Sequence, residues 1–147
     1  MKAQTNFRSS NSKNTLNSER YEVIENESLK DTSINGLKIS GSLFSLSNFE
    51  NVTFESCVFF GSKLENCDFI GCKFINCEFH FTSFDHTNIF DSNFENCLIV
   101  ASPMKDTTIF ESTIDQRSAH YLWKTQAKLD HCYISGVFSS DLIKKVA

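Results

Sequence analysis

CDFIGCKFINCEFHF, residues 67–81, repeats itself every five residues: Cys67, Cys72 and Cys77 open the units, and Phe69, Phe74 and Phe79 stand two places on. The register extends far beyond this stretch. Every fifth position from Ile34 to Ile114 is Phe, Ile, Leu or Met, and the position two before each is small, with Leu37 the residue out of character. A period of five fits neither the 3.6-residue helix nor the two-residue strand, so it reports a repeated supersecondary unit.

One bulky residue and one small residue per unit suit a four-walled tube. The bulky residue fills the lumen, and the small one sits where the chain crowds itself at a turn. Nine of the fifteen Phe residues occupy central positions, so the lumen should dominate stability. Replacing Phe74 or Phe79 by Ala is expected to cost roughly 3–5 kcal/mol. Residues twenty apart should stack on one side of successive coils at the ~4.8 Å spacing of neighbouring strands, giving a rod ~20 Å long. Ile24 and Leu29 keep the register and extend it by one coil, with Glu22 and Glu27 in the small positions marking an atypical N-terminal cap.

This pattern resembles the pentapeptide-repeat family over residues 32–114. The chain differs in using Phe and Ile where Leu is commoner, and Ser, Thr or Cys where Ala is commoner. Asn or Asp precedes the centre only at Asn48, Asp68, Asn88 and Asn93. The resemblance implies an all-β fold, a right-handed quadrilateral parallel β-helix with short terminal caps and a small C-terminal helix. It also brings in the acidic quinolone-resistance proteins of bacteria, which imitate duplex DNA and protect DNA gyrase.

The chain divides into a polar tail at 1–20, the repeat region at 21–115, an excursion at 116–126 and a last coil with cap at 127–147. The tail is rich in Ser, Thr and Asn and cannot repay its ordering entropy, so it is expected to be disordered. It lacks the apolar core of a cleaved signal, and no segment reaches a membrane span. A cytoplasmic protein is expected, with a secreted effector read through its tail as the alternative. The excursion QRSAHYLWKTQ should pack back through Tyr121, Leu122 and Trp123. Ser139, Ser140 and Asp141 are placed to cap a short amphipathic helix, DLIKKVA.

The six cysteines, Cys57, Cys67, Cys72, Cys77, Cys97 and Cys132, all fall in the small position. That register makes them small buried hydrophobes rather than a disulfide frame or zinc site, and it suits a reducing compartment. His80, His86, His120 and His131 have no nucleophile beside them, and Asp85–His86 reads as a solvated pair. Glu65 with Asp85, and Asp91 with Glu111, stack one coil apart on a convex surface that water screens. No catalytic, cofactor or metal site is expected.

The exterior carries the functional signal. Between residues 30 and 115 there are five Lys against twelve Asp and Glu, among them Glu50, Glu55, Glu65, Asp85, Asp91, Glu95 and Glu111. With no run of Lys or Arg and a net charge of -4, direct nucleic-acid binding is not expected. Ile70, Phe90 and Phe110 form an apolar ladder at coil spacing, and Val58, Phe60, Phe81, Leu98 and Val100 cluster on another side. The leading expectation is a non-catalytic module that presents these ladders, rimmed by acids, to a protein partner or a second copy. Mimicry of DNA toward gyrase is the alternative, and a rod this short would need end-to-end dimerisation through its C-terminal cap.

Overall fold

The period of five is set by one backbone event per unit. Two residues after each central side chain the chain enters the left-handed region, at every corner from Asn26 to Glu111 and again at His131. Each such residue turns the chain onto the next side. The computed structural model describes residues 23–135, and the polar tail and the DLIKKVA segment lie outside them.

Strands of about three residues form the sides. Side one is a sheet of β1 (Val23–Glu25), β4 (Leu43–Ser45), β7 (Lys63–Glu65), β11 (Ser83–Asp85) and β15 (Met104–Lys105). Side four is a sheet of β3 (Lys38–Ser40), β6 (Val58–Phe60), β10 (Glu78–His80) and β14 (Leu98–Val100). Sides two and three share one sheet because β2 (Ser28–Asn35) and β5 (Asn48–Glu55) run unbroken around their common corner. Side two continues as β8 (Asp68–Ile70), β12 (Asn88–Phe90), β16 (Thr108–Phe110) and β18 (Lys128–Asp130). Side three continues as β9 (Lys73–Ile75), β13 (Asn93–Glu95), β17 (Thr113–Asp115) and β19 (Tyr133–Ser135). All pairings are parallel, at a shift of twenty residues, as in Phe54 opposite Phe74 and Phe74 opposite Phe94. The result is a quadrilateral β-helix of about 6 turns. Ile24 and Leu29 are buried members of a regular first coil.

Central residues line the lumen, where rings stack along the axis: Phe49 on Phe69 at 4.7 Å, Phe54 on Phe74 at 5.2 Å and Phe59 on Phe79 at 5.1 Å. Rings on adjacent sides meet edge-on, as Phe74 meets Phe79 at 6.1 Å. Both geometries suit the ring quadrupole. The small position does more than avoid a clash. Its hydroxyl or thiol donates to carbonyls of its own coil and of the coil before, as Ser102 Oγ does to Val100 and Phe79 at 3.0 and 3.2 Å. Its oxygen in turn accepts an N–H from the coil before, as from Thr82 N at 3.0 Å. This hydrogen-bonding role accounts for Ser, Thr and Cys where Ala would also fit.

The excursion is a helix that keeps the coil length. α1 (Gln116–Leu122) and the turn after it, residues 123–126, take the place of sides four and one in the final coil, yet Thr108 still pairs with Lys128 and Thr113 with Tyr133. Asp115 makes the exchange possible. Its Oδ1 caps the helix by accepting from Ser118 N at 2.9 Å, and its Oδ2 accepts from Asn96 N at 2.7 Å. A backbone carbonyl fills the latter role at regular corners, as Glu95 does for Asn76 N. Ser118 Oγ likewise accepts from Cys97 N, and Leu122 is fully buried over the lumen. Tyr121 and Trp123 pack against the core as half-buried side chains.

Candidate functional site

On each strand the residues flanking the central one face solvent, and the corner residue follows them. On side four these outward positions are Lys38 and Ser40, then Val58 and Phe60, then Glu78, His80 and Phe81, then Leu98 and Val100. Glu78 is the one carboxylate among the described residues of this side, and its Oε1 lies 2.9 Å from His80 Nε2. The apolar side chains assigned from sequence to this cluster therefore do share one face. Phe60 is 48% exposed and Phe81 58%, with ring centroids 5.5 Å apart, while Val58 and Leu98 are half-buried beside them. Phe81 is also the aromatic residue among the left-handed corners, at φ 52°, in a column whose preceding members are Gly41 and Gly61. A bulky side chain there costs conformational energy and contributes nothing to the lumen.

The second ladder is real but less open. Ile70, Phe90 and Phe110 are in register across β8, β12 and β16. Phe90 and Phe110 stack at 5.5 Å, and His131 closes edge-on over Phe110 at 5.6 Å. These rings cover one another, which leaves Ile70 at 38% and Phe90 at 37% exposed and Phe110 half-buried.

The other acidic residues lie on the remaining three sides. Glu65 and Asp85 face each other across β7 and β11 on side one. Glu50 lies on side two, 3.5 Å from Lys30, and Asp91 and Glu111 are the corners that follow it. Glu55 and Glu95 lie on side three. Most carboxylates thus lie on sides one to three, interspersed with Lys30, Lys63, Lys73, Lys105 and Lys128 and, on side two, with the apolar ladder, while side four carries Lys38, Glu78 and His80.

Titratable groups outside the lumen are scattered over open surface. His86 Nδ1 lies 2.8 Å from Asp85 Oδ1, and its Nε2 lies 3.6 Å from Asp106 Oδ2. His86 and Asp106 are exposed, so water competes for any ion this trio meets. Inside, burial pushes the thiols of Cys67, Cys72 and Cys97 up to about 11, and each donates instead to a backbone carbonyl, as Cys97 does to Phe74 O at 3.2 Å. All six cysteines are free and buried.

One feature escaped the sequence reading. Where α1 leaves the tube, a cleft of about 670 Å³ opens between Ile99–Pro103 and the stretch Tyr121–Gln126. The loss of the five-residue register after Ile114 is its only sequence signal. No helix among the described residues is long and apolar enough to cross a membrane.

Among solved structures, full-length QnrB1, a plasmid-mediated fluoroquinolone resistance protein, aligns with 78% of this chain and 70% of its own at 11% identity and a TM-score of 0.33. The pentapeptide repeat protein Rfr23 from the cyanobacterium Cyanothece 51142 aligns with 68% of this chain and 97% of its own at 12% identity and a TM-score of 0.23. No curated protein matches the chain. The pentapeptide repeat region model matches residues 47–122, which begin and end within the tube and its helix. With the five-residue corners, the twenty-residue coils and that match covering more than half of its length, the chain belongs to the pentapeptide-repeat family.

Proposed function

We propose that this solenoid is a non-catalytic scaffold that binds a protein partner through side four. The observation that carries the reading is Phe81: an exposed aromatic ring held at a left-handed corner whose column otherwise holds Gly41, Gly61 and Ala101, beside exposed Phe60. The ring adds nothing to the lumen and packs against the likewise exposed Phe60 ring, and exposed aromatic and apolar side chains are the composition of a contact centre. The acidic residues of the flanking sides form its rim and discriminate against acidic partners. The rigidity of a paired, ring-filled tube keeps the ordering cost of binding low.

The test compares Phe60→Ser/Phe81→Asn with Phe90→Ser. Both are surface changes that leave the lumen intact. Partner capture and any self-association, read by affinity isolation and light scattering, should be lost with the first and kept with the second. The reverse outcome would move the contact to the Ile70–Phe90–Phe110 ladder, and unchanged capture by both would remove the proposal.

A second reading draws on the acidic sides: a surface that stands in for duplex DNA toward a topoisomerase. The disposition of Glu65, Asp85, Glu55 and Glu95 over sides one and three supports it. A gyrase supercoiling assay with and without a fluoroquinolone decides it, since neither protection nor inhibition would exclude the reading.

A further inference from the structure

The cleft beside α1 is lined by hydrogen-bond donors that the regular coil would have satisfied. At the corner between sides four and one, the left-handed residue donates its N–H to the carbonyl nineteen residues on: Gly61 to His80 O at 2.8 Å and Phe81 to Val100 O at 3.0 Å. The next N–H goes to the hydroxyl twenty residues on: Ser62 to Thr82 Oγ1 at 3.3 Å and Thr82 to Ser102 Oγ at 3.0 Å. Both columns stop at Ala101 and Ser102. The residues that would accept, His120 and Leu122, are in the helix. The Leu122 carbonyl instead takes Thr125 N at 3.0 Å and Thr125 Oγ1 at 2.7 Å. Neither the Ala101 nor the Ser102 N–H has an acceptor among the described residues, and both residues line the cleft.

The rest of the wall has the same bias. Lys124 lines it and forms no ion pair among the described residues, and no carboxylate borders it although the tube is acidic elsewhere. Two adjacent N–H donors in a left-handed turn make a concavity for an anion, and an unpaired ammonium beside them adds attraction. Ile99, Val100 and Pro103 supply an apolar wall, and the volume exceeds that of a bare ion. We propose that this cleft binds a small organic anion: a carboxylate or phosphate head at Ala101, Ser102 and Lys124, carried on a short apolar body. The cleft borders the side-four surface through Val100, but its test reads the Ala101 and Ser102 amides and Lys124, none of which the partner test changes.

The probes are benzoate, phenyl phosphate and the neutral isostere benzyl alcohol, titrated into the full chain labelled with nitrogen-15. The amide signals of Ala101 and Ser102 should shift with one or both anions and hold still with the alcohol. The anion that shifts them identifies the head group. Lys124→Gln, an exposed change that leaves the thermal midpoint in place, should weaken the anion about tenfold. Equal binding of benzyl alcohol would overturn the proposal by reducing the cleft to an apolar hollow. So would the absence of any shift at these two amides up to ~10 mM probe, or full affinity retained in Lys124→Gln.

Discussion

Replacing Phe74 by Ala tests the lumen at its most confined point. The ring lies parallel to Phe54 at 5.2 Å on one side and to Phe94 at 4.9 Å on the other, with Phe69 at 5.5 Å and Phe79 at 6.1 Å around it. Its strand, β9, is paired on both edges, to β5 and β13, so the wall cannot move inward to fill the space. Truncations of buried Phe cost about 3–5 kcal/mol, and sites that cannot collapse fall at the upper end. Against a domain stability of ~5–15 kcal/mol, that is a third or more of the total. Phe74→Leu keeps most of the volume and should cost about 1.5 kcal/mol or less. Urea unfolding followed by circular dichroism measures both, and the slope of each transition shows whether the coils still unfold together. An Ala variant within ~1 kcal/mol of the parent, or a Leu variant as damaged as the Ala one, would refute the claim that the stacked rings hold the tube together.

Phe81→Gly should leave the thermal midpoint unchanged or raise it, because ~1–2 kcal/mol of left-handed strain is relieved and no lumen contact is lost; a clear fall would show that the ring is structural. Asp115→Ala removes the helix cap and the acceptor for Asn96 N together, and should cost about 0.5–2 kcal/mol or more in the same unfolding assay, with Asp115→Asn recovering part of it. The raised thiols set an alkaline limit: above their ordinary value of 9.0 the unfolded chain releases protons that Cys67, Cys72 and Cys97 retain until about 11. Stability is therefore full below pH 9 and falls between 9 and 11, by up to about 1.4 kcal/mol per pH unit for each thiol. The triple Cys→Ser variant should flatten that slope.

The architecture was legible because one side chain in five has a single destination. Phe69, Phe74 and Phe79 mark three sides of one coil, and the shift of twenty fixes which outward residues become neighbours, so the Val58–Phe60–Phe81–Leu98–Val100 cluster could be assembled from spacing alone. Two things were not legible. Spacing cannot say how far stacked rings shield one another, which is why Phe110 is less exposed than its place in the ladder implied. Nor does it reveal that Asp115 and Ser118 reproduce, with side chains, the acceptors of a missing coil wall. That substitution lets a seven-residue helix and a short turn replace two sides without changing the twenty-residue register, and it leaves the donors of Ala101 and Ser102 facing a cleft. In sequence the thiols are small hydrophobes in the small position; their sulfur-to-carbonyl contacts add a directional role that depends on the neighbouring coil rather than on the local sequence.

The partner surface is tested most directly by placing a benzoylphenylalanine crosslinker at position 81, and in a second protein at position 95 on side three, and irradiating each in its native host. Discrete adducts from position 81, to a partner or to a second copy, and none from position 95 are the result expected of a side-four contact. No adduct from position 81, or the same adducts from both positions, would contradict it.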